Sequence, residues 1–476
     1  MHTLETRSHF RREVGRTARL AGPLAAGHLS SGLVSFVDAL IAGHHGTATL
    51  AAVSVGTALF WLPMLAPMGT LMALPPAVSQ LDGAGRRNEI GPLFRQALWL
   101  AAGLGLLLLA LLTLAPLLLR PMGITPEIVP EVTAFLNAVR WGIPAFTLYL
   151  CMRYLSDGMH WSLPTMLLGF GGLCVLAPVA YVLTNGLFRL PELGAEGIGI
   201  ATSLMFWLQA LGFALYLARS RRFADLRLFA QWDWPHWNVQ RDLLRTGLPI
   251  GVTITMEGGL FAVTALLIGR LGEVQVAAHQ VALNVASMCF MLPFGIAEAT
   301  TVRVGHAFGR GDRDGLRRAA FAGFALMLCT QTASALLLLF GHGGVAGLYS
   351  ADPSVIALGG ALLLYAALFQ FPDGVQVVSA GALRGLKDTR VPMWLAVLAY
   401  WGVGMPVGAG LGLGLGWGPR GMWLGLTAGL TMAAFLLARR FLRSSVRIPV
   451  AKRTPIRRYA PPSPGGKREE PWAGDQ

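Results

Sequence analysis

Charge is what this chain has least of. Only 13% of its 476 residues are Asp, Glu, Lys or Arg, about half the share of a soluble domain. A chain this long folded in water could not solvate its surface, which excludes a string of soluble domains. Acidic side chains are scarcer than basic ones, 24 against 38. Cysteine is scarce too. Cys151, Cys174, Cys289 and Cys329 lie far apart inside apolar runs, with no CxxC spacing. That excludes a disulfide frame and a cysteine zinc site, and leaves small core residues. No HExxH, P-loop, GxSxG elbow or paired Asp-rich diphosphate motif occurs, so an enzyme is not expected. Gly410-Leu411-Gly412-Leu413-Gly414 is glycine-rich but lies in an apolar run, where a dinucleotide loop would not form.

What is present is apolar: 54% of the residues are hydrophobic, which also excludes disorder for most of the chain. A bilayer core needs roughly 20 apolar residues per helix. Twelve such runs fall near 20–43, 50–78, 93–118, 131–155, 162–187, 195–218, 246–270, 275–302, 317–340, 354–380, 391–415 and 420–440. The expected fold is therefore all-α and integral to the membrane, with the lipid bilayer as its first partner. The first run is too long for a signal-peptide core and reads as a retained helix.

Basic residues set the orientation. With the N-terminus in the cytoplasm, 33 of the 38 lie on the inner side. Four lie on the outer side (Arg120, Arg189, Arg270, Arg420), and Arg140 sits inside the fourth run. This asymmetry accounts for the formal charge of +14 without nucleic acid. Both termini are expected in the cytoplasm of a bacterial inner-membrane protein. The organisation reads as a basic N-terminus (1–19), a six-helix lobe (20–218), a linker (219–244), a second six-helix lobe (245–441) and a basic, Pro-rich tail (442–476). The tail is expected to be disordered. The linker, with Trp232, Trp234 and Trp237, is expected to rest on the membrane surface.

The two halves repeat. At an offset of 226, Pro23, Gly43, Pro67, Gly69, Gly83 and Gly85 match Pro249, Gly269, Pro293, Gly295, Gly309 and Gly311. At 228, Pro144, Pro164 and Pro178 match Pro372, Pro392 and Pro406. Six is an even number of spans, so both halves enter from the same side. Such a parallel repeat is common in alternating-access transporters, with the site between the halves.

Charges within the spans are few and therefore informative. Asp38 lies in run 1, Glu257 near the middle of run 7 and Asp373 in run 10. An isolated carboxylate there should face a cavity and hold a proton or a cation, with Na⁺ possible at Glu257 and Asp373. Arg140, which alone among the basic residues reads as well inside a span, fits a snorkelling role or a local partner equally. Glu298 and Arg303 fit a gate or helix-end ion pair, and Asp82 and Asp157 read as solvated inner ends. His279, Gln280 and Asn284 fit either interhelical hydrogen bonds or a polar wall to an ion pathway; positions 280 and 284 share a helix face. Trp61, Met64, Met68, Met288, Phe290 and Phe294 form aromatic and Met stripes that fit ordinary packing or an adaptable drug pocket.

These residues carry a family resemblance. Ala277-Ala278-His279-Gln280-Val281-Ala282-Leu283-Asn284, Gly295-Ile296-Ala297-Glu298-Ala299-Thr300, Pro372-Asp373-Gly374-Val375-Gln376, Gly381-Ala382-Leu383-Arg384-Gly385 and Phe36-Val37-Asp38 resemble the multidrug and toxic compound extrusion (MATE) transporters, NorM-type branch. The likeness spans roughly 20–440. It implies twelve helices in two pseudo-symmetric lobes forming a V, and efflux of amphipathic, mostly cationic drugs in exchange for Na⁺ or H⁺, without a cofactor and as a monomer. It also implies that Glu257 and Asp373 bind the coupling cation and that Asp38 takes part in coupling or substrate binding. The chain departs from the family in the fifth run, where Leu176 and Ala180 stand at positions often occupied by Asn. The alternatives are a flippase for a lipid-linked precursor, an integral-membrane enzyme and a channel.

Overall fold

The computed structural model describes residues 2–447, with side chains from 10 to 446. Its regular elements are all helical. The first half holds α1 (His2–His45), α2 (Thr47–Leu71), α3 (Leu74–Gly83), α4 (Ile90–Leu114), α5 (Pro116–Leu119), α6 (Val129–Val139), α7 (Ile143–Gly158), α8 (Leu163–Thr184) and α9 (Ala195–Arg219). The second holds α10 (Trp237–Gly269), α11 (Glu273–Gly309), α12 (Arg313–Tyr349), α13 (Pro353–Gly385), α14 (Arg390–Val397), α15 (Met405–Ala409) and α16 (Pro419–Arg447). All twelve apolar runs appear as helix.

Among the described residues, eleven helical stretches are long and apolar enough to cross a membrane. The twelfth, run 4, is broken. A 3₁₀ turn over Arg140–Gly142 separates α6 from α7, and Pro144 opens the second piece. Several helices outrun their apolar cores. Caps and turns set their true ends: Asp312 accepts the Gly315 amide at 2.7 Å, and Asp352 accepts the Ser354 amide at 2.8 Å. Each such cap contributes about 1 kcal/mol.

Three boundaries differ from the sequence reading. Helix α1 begins at His2, so the N-terminal 19 residues are no separate segment. The expected linker is short, because α10 starts at Trp237. What remains packs on α4: Arg95 Nε donates to Asp233 at 2.6 Å, Trp99 Nε1 donates to the Asp233 carbonyl, and the Trp99 ring lies against Trp232 and Trp234. Helix α16 runs on to Arg447, into the expected tail. The remainder of that tail lies outside the described residues.

Two apolar cores define the lobes, one built from α1–α9 with the first turns of α10, the other from α10–α16. Helix α1 serves both. Val34, Ile41 and Ala42 join the first core, whereas Leu20, Ala21 and Leu24 pack with Ile296, Ala297 and Met327 of the second lobe. The seam between lobes follows the repeat. A Cβ on Gly69 of α2 would lie 2.5 Å from the Gly251 Cα of α10. A Cβ on Gly295 of α11 would lie 2.6 Å from the Ala25 nitrogen of α1. Residues 69 and 295, like 25 and 251, are 226 apart, so the two contacts are one contact made twice. Gly83 and Gly309 repeat the motif against the His306 and Gln80 carbonyls. Inside a bilayer such close backbone approach, rather than expulsion of water, favours helix association. All these contacts fall in the half of the bundle that carries the basic loops.

Candidate functional site

Glu257 lies midway along α10, and α13 runs beside it in the same lobe. Pro372 removes one backbone donor from α13, a recognised cause of helix bending. The next residue is Asp373, and Gln376 follows three positions later on the same helical face. Gln376 Nε2 donates to Glu257 Oε1 at 3.0 Å. Opposite them, the helical stretch between α14 and α15 widens into i+5-bonded turns over Leu398–Gly404, a feature often found at functional sites. The fully buried Tyr400 sits in this widened turn, its hydroxyl without a hydrogen-bond partner. Trp401 Nε1 donates to the Met256 carbonyl at 3.2 Å and so ties the turn to α10.

Two cavities meet at Glu257. One, of about 410 Å³, is lined by Met68 and Met72 of the first lobe and by Ile254, Phe290, Met291 and Phe294 of the second. The other, of about 190 Å³, is lined by Asp373, Phe261, Ser287 and Phe369. Glu257 lines both. The arrangement joins an apolar, thioether-rich chamber to a small compartment holding two carboxylates. Carboxylates withdrawn from bulk water are stabilised by a proton or by a cation with oxygen ligands. The donors here are hard oxygens, which suit Na⁺ as well as H⁺.

Asp38 is in the other lobe, 5% exposed, with Oδ1 unpartnered. Leu176 and Ala180 are fully buried in the apolar core of that lobe. Asp38 therefore stands apart in the first lobe, whereas Glu257 and Asp373 share a cavity in the second.

Below the larger cavity lies a charged layer that the sequence reading missed. Arg153, counted there only as one of the 33 inner-side basic residues, is 4% exposed. It donates through Nε to Asp157 at 3.3 Å and through Nη2 to Glu298 at 3.4 Å. Asp157 is buried rather than solvated, and accepts from Thr165 Oγ1 at 2.8 Å. His28 Nε2 lies 2.8 Å from Glu298 Oε2. Arg384 of α13 is buried beside the Met72 sulfur. Glu298 thus pairs across the lobes with His28 and Arg153, not with Arg303. Arg303 pairs with Glu13 and Thr17 of α1. Arg140 is therefore not the lone basic residue within the bundle; its guanidinium lies 5.5 Å from the Trp141 ring centroid. Asp82 is held by Arg87 at 2.7 Å and is mostly buried.

Other sequence candidates divide. Met68, Phe290 and Phe294 line the larger cavity. Trp61 packs edge-on against Phe60 and Phe146, Met64 is buried in the first core, and Met288 points outward, 54% exposed; none of the three lines that cavity. The His279–Gln280–Asn284 wall does not form. His279 Nδ1 accepts from Trp423 Nε1 at 3.2 Å in the second-lobe interior. The Asn284 amide is spent on the Gln280 carbonyl of its own helix.

The sequence model of the MatE family matches residues 23–182 and 249–409, two copies whose starts are 226 apart. The chain is 65% identical over 439 residues to the probable multidrug resistance protein NorM of Xanthomonas axonopodis pv. citri, covering 92% of this chain and 96% of that one. It is 42% identical to multidrug resistance protein PmpM of Pseudomonas aeruginosa, covering 92% and 93%. Among solved structures, the eukaryotic MATE transporter AtDTX14 superposes with a TM-score of 0.82 at 19% identity, covering 92% and 98%. An outward-facing multidrug resistance MATE transporter of the MOP superfamily superposes with the same score and identity, covering 92% and 96%.

Proposed function

The chain belongs to the MatE family of membrane transporters, and on that premise we propose that it is an inner-membrane antiporter, working as a monomer with both termini in the cytoplasm. It exports amphipathic, mostly cationic organic compounds in exchange for Na⁺ or H⁺. The observation that carries this reading is the placement of Glu257 on the wall shared by the apolar chamber and the two-carboxylate compartment. Cargo in the chamber and ion in the compartment then meet at one side chain. The chamber suits flat, greasy cations: Met and Phe side chains adapt to varied shapes, and aromatic faces attract positive charge.

Coupling requires that the ion bind one conformation more tightly than the other. Loading Glu257 and Asp373 removes the negative charge that holds a cationic drug. It also alters the Gln376–Glu257 bond between α10 and α13. Asp38 provides a further carboxylate in the first lobe for cargo or coupling. One charge moving through 100 mV contributes about 2.3 kcal/mol, about a fifty-fold concentration ratio. A pH or Na⁺ gradient adds to that. Purified protein in liposomes, given either a Na⁺ gradient or a pH gradient, identifies the ion. Glu257→Gln is expected to abolish drug resistance at unchanged membrane abundance, and full retained efflux would refute the assignment. The flippase alternative needs a basic chamber, but Arg384 on the chamber floor faces the charges of Glu298 and Glu257.

A further inference from the structure

Away from that chamber, on the side of the basic loops, three potential metal ligands converge from both lobes. Asp82 ends α3, His160 occupies the turn after α7, and His306 lies in the last turn of α11. One ligand atom from each lies within 4.8 Å of the other two. His306 Nδ1 is 3.3 Å from Asp82 Oδ2, yet it is buried without a properly oriented hydrogen bond. The His160 and His306 rings meet edge to face, 4.9 Å between centroids. Asp82 divides its oxygens: Oδ1 takes Arg87 at 2.7 Å, leaving Oδ2 toward the imidazoles.

We propose that Asp82, His160 and His306 form a site for a divalent transition ion that clasps the two lobes together when the seam is shut. Two imidazole nitrogens and one carboxylate oxygen are a donor set suited to Zn²⁺, whereas Mg²⁺ and Ca²⁺ favour all-oxygen shells. Bonds of about 2.1 Å in a tetrahedron place ligand atoms about 3.4 Å apart. Binding therefore requires the two rings to turn and draw their nitrogens inward from separations of up to 4.8 Å. A fourth position is open to water from a cavity of about 790 Å³, which His160 and His306 line and which opens among Glu13, Arg16 and Arg310. Arg87, Arg222 and Arg303 are nearby cations that weaken the site, and the Asp82 carboxylate offsets them in part.

Two features make the site a clasp rather than a surface cluster. His160 holds its backbone at φ 58°, an uncommon conformation for a non-glycine residue and one often kept at functional positions. His306 also sits over Gly83, where any Cβ would collide with the His306 carbonyl. The repeat gives no second copy, since the counterpart of His306 is Gln80, whose amide donates to the Gly385 carbonyl at 2.8 Å. Asp82 and His160 belong to one lobe and His306 to the other. A conformation that opens the seam separates them, so the ion binds only the shut state and favours it.

The test uses the full-length protein, purified without a histidine tag, stripped with chelator and titrated with ZnCl₂ or MgCl₂. Zn²⁺ is expected to raise the thermal midpoint saturably, and Mg²⁺ to leave it unchanged. His306→Gln and, separately, His160→Asn (Asn tolerates the left-handed backbone) should each weaken apparent Zn²⁺ affinity by about tenfold or more. Either variant serves if the other folds poorly, since each is compared with its own metal-free midpoint. No rise in the unsubstituted protein, an equal rise with Mg²⁺, or undiminished affinity in the variants overturns the proposal. This readout does not depend on transport, so it can fail while the antiporter reading stands. A transport arm tests the clasp itself: Zn²⁺ on the basic-loop side should slow export by the unsubstituted protein and spare His306→Gln. Equal inhibition of both would overturn it.

Discussion

The two lobes descend from one pattern but differ in chemistry. Residues that set backbone approach are repeated: Pro23 with Pro249, Gly69 with Gly295, Gly83 with Gly309. The three carboxylates within the spans are not. By the same offsets Glu257 corresponds to Ser31, Asp373 to Ala145 and Asp38 to Thr264. The scaffold tolerates little change because a methyl group at Gly69 or Gly295 would strike the opposite lobe's backbone. The cavity walls carry no such restriction. The second lobe places Glu257 and Asp373 beside a widened helical turn, whereas Asp38 stands apart in the first. Symmetric packing closes the seam on the side of the basic loops, and the carboxylates assigned to coupling in the proposed function are distributed asymmetrically across it.

The contrast can be broken at its strongest point first. Glu257→Gln keeps the Gln376 contact but removes the charge, and export should fall to the level of cells lacking the protein at equal membrane abundance; drug-accumulation assays with quantified expression check this. Removing one member of the inter-lobe charge layer comes next. Glu298→Ala leaves Arg153 and His28 buried without their shared partner, which should cost about 3 kcal/mol. Thermal unfolding in detergent reads it, and an unchanged midpoint would show that the layer is not a fastening. Gly69→Val forces the seam apart and should cost about 1–3 kcal/mol, with Gly103→Val, where a Cβ meets nothing, as the silent control.

Asp38→Asn should lower export by less than Glu257→Gln, because the paired carboxylates stay in place; equal losses would mean that the lobes share the coupling evenly. The smallest effect is expected at the surface. Arg87 donates to Asp225 at 2.8 Å and holds its carboxyl below the usual range. A depressed carboxylate contributes stability above its unfolded pKa of about 3.9, and loses it as pH falls through the lower folded value. Asp225→Asn should therefore produce the same small offset in thermal midpoint at every pH from 5 to 8. A strong trend across that window would contradict this sign.

The helices were legible because apolar length is a local property. Run 4 shows the limit, since Arg140, Trp141 and Gly142 break it without interrupting its hydropathy. The extensions of α10 and α11 were also missed, because their polar ends leave the apolar window while remaining helical. Glu257 and Asp373 stood out as lone acids in oil. Their neighbours did not: Gln376 is 119 residues from Glu257, and only the folded bundle brings them together. Arg153 misled for a physical reason. A basic residue near an inner helix end looks like a topology signal, and nothing local reveals Glu298, 145 residues away. Trp61 and Met64 share a stripe with Met68, but the chamber meets that region at Leu65, Met68 and Met72, while Trp61 and Met64 pack into the first core.

The most direct measurement is drug counterflow into liposomes holding the purified protein or its Glu257→Gln, Asp373→Asn double variant, driven in turn by imposed Na⁺ and pH gradients. The account predicts gradient-driven drug movement with one of the two ions and none with either ion in the double variant. Undiminished coupled transport by the double variant would contradict it.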